Sequence, residues 1–220
     1  MTAAAAQPLV IAIDGPSAAG KGTLGRRLAA RYNLAYLDTG LLYRAVAAEV
    51  VRRGIDPDDA AAAAAVAAGI TLDDLAAPNL RDEAVGGVAS QVAAIAGVRA
   101  ALLALQRRFA AHPPPGRAGA VLDGRDIGTI VCPAAPVKLF VSATLEERAR
   151  RRHKELLERG CKSIYARVLQ DMMERDARDS GRALAPLTPA PDALIIDSSA
   201  LDPDAAFAAA VARIGAVLGI

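Results

Sequence analysis

The stretch from Val10 to Thr23, VIAIDGPSAAGKGT, leaves few folds open to this chain. Four apolar residues, Val10 to Ile13, run into Asp14. A glycine-rich turn closes on Lys21, and an amphipathic pattern begins at Leu24, Leu28 and Ala29. The order is strand, turn, helix. Gly15 and Gly20 bracket four residues and Lys21 follows, the spacing of a Walker A phosphate loop. Glycines let the main chain wrap a polyphosphate with its N–H groups inward, and the helix N-terminus adds positive potential. Lysine is scarce, with four among 26 basic residues, so a Lys in this slot is informative. We read Gly15, Pro16, Ser17, Ala18, Ala19, Gly20, Lys21, Gly22 and Thr23 as a donor-nucleotide loop. One position departs from the common pattern. Gly22 stands where a Ser or Thr hydroxyl usually ligates Mg²⁺. The expectation is a metal held by phosphate oxygens and water, with no protein ligand, and Thr23 near the inner phosphate.

The rest of the chain alternates. Short apolar runs at Leu34–Leu37, Ala118–Leu122, Val137–Val141 and Ala193–Ile196 read as four further strands. Helical patterns separate them: Leu41–Arg53, a helix opened by Asp56 and Pro57, Leu80–Ala96, Val98–Ala111, one opened by Thr144 with Glu147 three residues on, Ser163–Asp176, and one from about Pro203. Such alternation predicts an α/β fold with a parallel five-stranded sheet and helices on both faces. Ligands of such sheets sit at the carboxyl ends of the strands, where Asp14, Asp38 and Asp123 lie. The segment from about 39 to 111 shows no convincing strand and reads as a helical insertion.

A length of 220 residues fits one domain. Aromatics are 3% with no Trp, which argues against stacking of nucleic-acid bases, and a net charge of +2 is too small for a general polyanion binder. Cys132 and Cys161 have no metal or redox spacing, and both are expected to be reduced in a cytoplasm. The start, MTAAAAQP, lacks the charged and apolar regions of a signal peptide, and no run is long and apolar enough to span a membrane. The chain is expected to be a cytoplasmic monomer that binds neither nucleic acid nor membrane.

Candidate anion ligands recur near strand ends and in late helices: Arg44, Arg99, Arg125, Arg175, Arg178 and Arg182. Each alone suits a solvated surface. As a set facing a phosphate loop they suit a second phosphate ligand, because Arg offers fixed, always-charged donors. The run Arg148, Arg150, Arg151, Arg152 and Lys154 is either a charged, solvated helix or a lid that closes over the phosphates. Asp123-Gly124-Arg125-Asp126 is either a turn motif or a site in which Asp123 orients Mg²⁺ through water, Arg125 clamps an acceptor phosphate and Asp126 accepts from an amino group.

Five motifs together resemble the bacterial-type cytidylate kinases, the (d)CMP kinases among P-loop nucleoside monophosphate kinases: IDGPSAAGKGT, LDTGLLYRA, LRDEAVGGVASQVAAIAGVRAALLALQR, LDGRDIGT and ERDARDSGRALAPL. The resemblance implies a P-loop NTPase-like sheet and transfer of the ATP γ-phosphoryl group, with Mg²⁺, to CMP or dCMP. It divides the chain into a core (8–38, 117–145 and 162–220), a monophosphate-binding insertion (about 39–111) and a lid (about 146–161). It implies CMP contacts from Thr39, Tyr43, Arg44, Ser90, Arg99, Asp123, Arg125, Asp126, Arg175, Asp179 and Arg182. Of these, Arg44, Arg125 and Arg182 take the phosphate, Ser90, Arg99 and Asp126 the cytosine, and Arg175 and Asp179 the sugar. Lys21, Arg125, Arg148, Arg151 and Arg152 are the implied catalytic cations. The family often carries a small β-rich insert, for which Gly69–Asn79 is too short. Thr39 stands where Ser is common, and the hydroxyl is kept. Rival readings are a P-loop kinase for another acceptor, a nucleotide-dependent switch, and RNA binding through the Arg-rich helix. The absence of an Asn-Lys-x-Asp motif argues against the switch.

Overall fold

A computed structural model describes residues 8–182 and 185–219. The N-terminal MTAAAAQ and residues 183 and 184 of the last family motif lie outside the described residues. Five strands form one sheet: β1 (Leu9–Asp14), β2 (Ala35–Asp38), β3 (Gly119–Gly124), β4 (Val137–Ser142) and β5 (Leu194–Asp197). Their order is β2-β3-β1-β4-β5 and every pairing is parallel. β1 therefore sits at the centre, and all five carboxyl ends share one edge. The chain leaves β1 toward β2 on one side and crosses from β3 to β4 on the other, so a crevice opens above β1.

Side chains alternate across the sheet, and both faces are covered. Ile11 and Ile13 pack with Val121, Leu139 and Val141 against α1 (Lys21–Arg31) and α8 (Pro203–Leu218). Ala12, Ala120 and Leu122 face the other way, onto α2 (Thr39–Arg52), α3 (Ala60–Ala68), α4 (Glu83–Val92) and α5 (Ala96–Ala111). Burial on both faces explains why these strands read as continuous apolar runs. The segment between β2 and β3 is wholly helical among its described elements. Residues 69–81 contain only two 3₁₀ turns, Asp73–Ala76 and Pro78–Arg81, and no strand.

Some boundaries differ from the sequence reading. Asp56 does not cap a helix: its carboxylate accepts from Asp58 N at 3.0 Å in a local turn, and Asp59 caps α3 by accepting from Ala62 N at 3.0 Å. α6 (Leu145–Glu158) starts as expected, with the Thr144 hydroxyl accepting from Glu147 N at 3.3 Å. α7 (Tyr165–Ser180) runs one turn beyond Asp176. α6 and α7 pack together around their own cluster of Ala149, Leu156, Val168 and Met172. Among the described residues no single helix is long and apolar enough to cross a membrane.

Candidate active site

The turn after β1 has the backbone of an anion cradle. Gly15 has φ 142 and Gly20 φ 96, and even Ala18 is left-handed at φ 58. Gly15 passes so close to β4 that an added Cβ would lie 2.0 Å from the Val141 carbonyl oxygen. α1 has no side-chain cap and no acid in its first turn, and the same holds for α2. Their first N–H groups are left for an external acceptor. At the centre, the Asp14 carboxylate accepts from Ile127 N at 2.7 Å and Gly128 N at 2.8 Å, tying β1 to the turn after β3. Burial raises the Asp14 carboxyl to about 6 despite these two bonds.

Above this edge lies an open cleft of about 670 Å³. Ser17 to Thr23 form one wall. Arg44, Arg81 and Arg125 line it from the other elements, and Arg151, Arg152, Arg175 and Arg178 from the α6–α7 pair. With Arg26 and Lys21 this makes nine cationic side chains against six carboxylates, an excess that phosphates would neutralise. Lys21 Nζ donates to the Pro16 carbonyl at 2.8 Å. Burial, then the Arg125 charge, push its ammonium down from 10.5 to about 7.

The second wall is a network of guanidiniums and carboxylates. Asp179 is 1% exposed and accepts from Arg125 Nε at 2.9 Å and from Arg182 Nη2. Arg175 lies beside them with its Nε unpartnered, held down to about 10 by burial and by Arg125. Arg44 donates to the Leu80 carbonyl at 2.8 Å and the Asp82 carbonyl at 3.3 Å. Thr39 Oγ1 donates to the Asp123 carbonyl at 2.7 Å, and Tyr36 Oη donates to Asp123 Oδ2 at 2.5 Å. Burial, then the nearby Asp38, raise the Asp123 carboxyl. Deeper in, Arg99 Nη2 donates to Asp126 Oδ2 at 2.5 Å and its guanidinium lies 5.7 Å from the Tyr43 ring. Ser90 Oγ is buried, lines the cleft and has no partner among the described residues.

Two expected site residues are engaged by other groups of the protein, and Thr39, Tyr43, Arg99, Asp126 and Arg182 also lie outside the residues that line the cleft. Arg148 is 5% exposed and does not line the cleft. It donates to Asp176 at 2.6 Å, to the Ala143 carbonyl at 2.9 Å and to the Ser17 carbonyl of the phosphate loop at 3.4 Å, which makes it a strut between α6, α7 and that loop. Asp179 has both carboxylate oxygens engaged by arginines rather than open to a sugar. Arg151 and Arg152 do line the cleft; Arg152 pairs with Glu155 at 3.0 Å. Sequence reasoning missed Arg81, which meets Asp38 at 3.4 Å, and Tyr36, whose strand position shows only that one face is inward.

A phosphate loop at the centre of a parallel sheet, opposed by arginines across one cleft, defines a P-loop phosphotransferase. The sequence model of the cytidylate kinase family matches residues 11–214. The chain is 62% identical to the cytidylate kinase of Paramagnetospirillum magneticum over 206 residues, 94% of this chain and 97% of that protein. It is 55% identical to the cytidylate kinase of Rhodospirillum rubrum over 203 residues, 92% of this chain and 95% of that protein. A crystal structure of an uncharacterized protein from Eubacterium ventriosum covers 96% of this chain and 99% of its own with a TM-score of 0.51; at 14% identity the likeness is one of fold. The chain belongs to the cytidylate kinase family.

The lowered Lys21 has a measurable consequence. An ammonium with a free-state value near 7 is mostly neutral at pH 8. A bound polyphosphate favours the charged form and returns its value upward, so binding takes up a proton above pH 7. ATP affinity is expected to weaken by up to about tenfold per pH unit from pH 7.5 to 9. Calorimetry at pH 8 in two buffers of different ionisation enthalpy reads the uptake directly. Equal heats in both buffers would contradict the assignment.

Proposed function

We propose that this chain transfers the γ-phosphoryl group of ATP to CMP or dCMP, giving ADP and CDP or dCDP. The carrying observation is the pair of opposed anion sites in one cleft: the main-chain cradle of Ser17 to Thr23, and the guanidiniums of Arg44, Arg125 and Arg175. A hydrolase or a switch needs the first alone. In this reading Gly15 to Thr23 bind the donor phosphates, and Arg44, Arg125 and Arg182 the acceptor phosphate. Ser90, Arg99 and Asp126 take the cytosine, whose N4 amino group donates to a carboxylate and whose O2 and N3 accept from hydroxyl and guanidinium. The unpartnered Ser90 Oγ and the Arg99–Asp126 pair support that role. The core spans 8–38, 117–145 and 162–220, the acceptor-binding insertion about 39–111, and the lid about 146–161.

The acceptor oxygen attacks the γ-phosphorus in line and the β–γ bridging oxygen leaves with the electron pair. The protein's contribution is alignment and charge. Lys21 and Arg125 approach from the two walls, and Arg151 and Arg152 from the α6–α7 pair. Among the described residues no three His, Cys, Asp or Glu side chains converge to cage a metal. Asp38 and Asp123 line the cleft and suit the hydration shell of a Mg²⁺ that arrives on the ATP phosphates. When bound, that ion neutralises charge on the β- and γ-phosphates. A cytoplasmic monomer acting on free nucleotides is the accompanying reading.

The base reading is tested by Asp126→Asn rather than Ala, because deletion would leave Arg99 buried and unpaired. The amide keeps the volume but offers a donor where cytosine presents its amino group. We expect kcat/KM for CMP to fall by about 30-fold or more relative to that for UMP. An unchanged CMP/UMP ratio would remove Asp126 from base recognition. A coupled ADP-release assay across nucleoside monophosphates tests the acceptor as a whole.

A further inference from the structure

The turn after β5 joins three parts of the donor wall. Ser198 is 5% exposed. Its hydroxyl donates to the Ala19 carbonyl of the phosphate loop at 2.9 Å and accepts from Arg151 Nη1 at 3.0 Å. Its carbonyl accepts from Arg151 Nη2 at 2.6 Å, and its N–H donates to the Ser142 carbonyl at the end of β4 at 2.8 Å. A hydroxyl carries one proton, and here that proton goes to Ala19. The oxygen therefore turns a lone pair toward Arg151, which can only donate. Arg151 Nε donates to Glu147 Oε1 at 3.0 Å, so all three nitrogens of the guanidinium are held. The side chain nevertheless lines the cleft beside the phosphate loop. A long, flexible side chain has thus been fixed before any ligand arrives, and its ordering entropy is not charged to binding.

We propose that Ser198 is a positioning residue for the donor nucleotide, its single hydroxyl holding the phosphate loop at Ala19 and the lid arginine Arg151 in one fixed relation. Loop and lid then meet ATP as a preorganised surface. The proposal rests on the donor reading of Gly15 to Thr23. A buried serine with only a structural role would lower stability without singling out one substrate.

Steady-state kinetics with both substrates varied separates the two. Ser198→Ala is expected to raise KM for ATP about tenfold and leave KM for CMP within about twofold. Ser198→Thr keeps the hydroxyl and is expected to stay within about threefold of the unsubstituted enzyme for ATP. In an Arg151→Met background, Ser198→Ala should raise KM for ATP by a clearly smaller factor, about threefold or less, since only the Ala19 bond is then left to lose. An ATP KM unchanged by Ser198→Ala, or raised by the same factor in both backgrounds, overturns the proposal. Should Ser198→Ala fail to fold, Arg151→Lys carries the test: it keeps the charge but cannot reach the Ser198 hydroxyl, its carbonyl and Glu147 together. An ATP KM about tenfold higher supports the coupling, and an unchanged value overturns it. ATP binding absent from the unsubstituted enzyme would instead remove the donor reading itself.

Discussion

Replacing Lys21 with Ala should reduce kcat by about 10³-fold or more while leaving the protein folded. Among the described residues the Lys21 side chain makes one hydrogen bond, to the Pro16 carbonyl within its own loop, so little of the fold depends on it. Its value lies in the charge it brings to the outer phosphates. No other Lys lines the cleft, and the cleft arginines come from the opposite walls or, as Arg26 does, from farther along α1. Lys21→Arg is not expected to rescue, because the planar guanidinium is bulkier than a site that buries the ammonium to 7% exposure. The coupled ADP-release assay and a thermal melt decide the matter together. Turnover within tenfold of the unsubstituted enzyme, with an unchanged melt, would remove Lys21 from the reaction.

The largest effect on stability is expected at Gly15. A Cβ there would lie 2.0 Å from the Val141 carbonyl oxygen and 3.0 Å from its carbon. Both are backbone atoms of β4, which cannot swing aside as a side-chain tip can. The φ of 142 adds strain for any L side chain. To accept Ala, β1 and β4 must part next to the phosphate loop. We expect Gly15→Ala to lose about 4 kcal/mol or more, lowering the melting temperature by roughly 8–16 °C or leaving the chain insoluble. Gly54 is the control. It is also left-handed, at φ 64, but an added Cβ there meets nothing within 4 Å. Gly54→Ala is expected to show the conformational cost alone, about 1 kcal/mol. Equal losses at the two glycines would mean that backbone strain, and not the approach to β4, sets the requirement at Gly15.

Much of the architecture can be read from local pattern. All five strands were visible as apolar runs, and in β1, β3 and β4 the reason is burial on both sheet faces, which removes polar residues from them. The Thr144 cap stood out because capping is a matter of a few adjacent residues. The same logic misplaced the start of α3. Asp56-Pro57 and Asp59 both satisfy a capping rule, and only the turn that Asp56 makes with Asp58 selects Asp59. The pairing of α6 with α7 was not legible for a related reason. Its cohesion comes from Ala149 and Leu156 meeting Val168 and Met172, a contact between helices that neither helix announces alone.

The phosphate loop and the supply of arginines were determined by the sequence itself, since each depends on residue type and short spacing. Which arginine faces which partner was decided by the tertiary structure. Arg148 and Arg151 sit three residues apart on one helix, yet one is tied to Asp176 and the other reaches Ser198 and the cleft. Arg125 and Asp179 pair across 54 positions of chain. The reason is electrostatic and geometric. A buried guanidinium must find a carboxylate or carbonyl within about 3 Å. Which groups come that close depends on how distant helices dock on the sheet, not on the letters beside them.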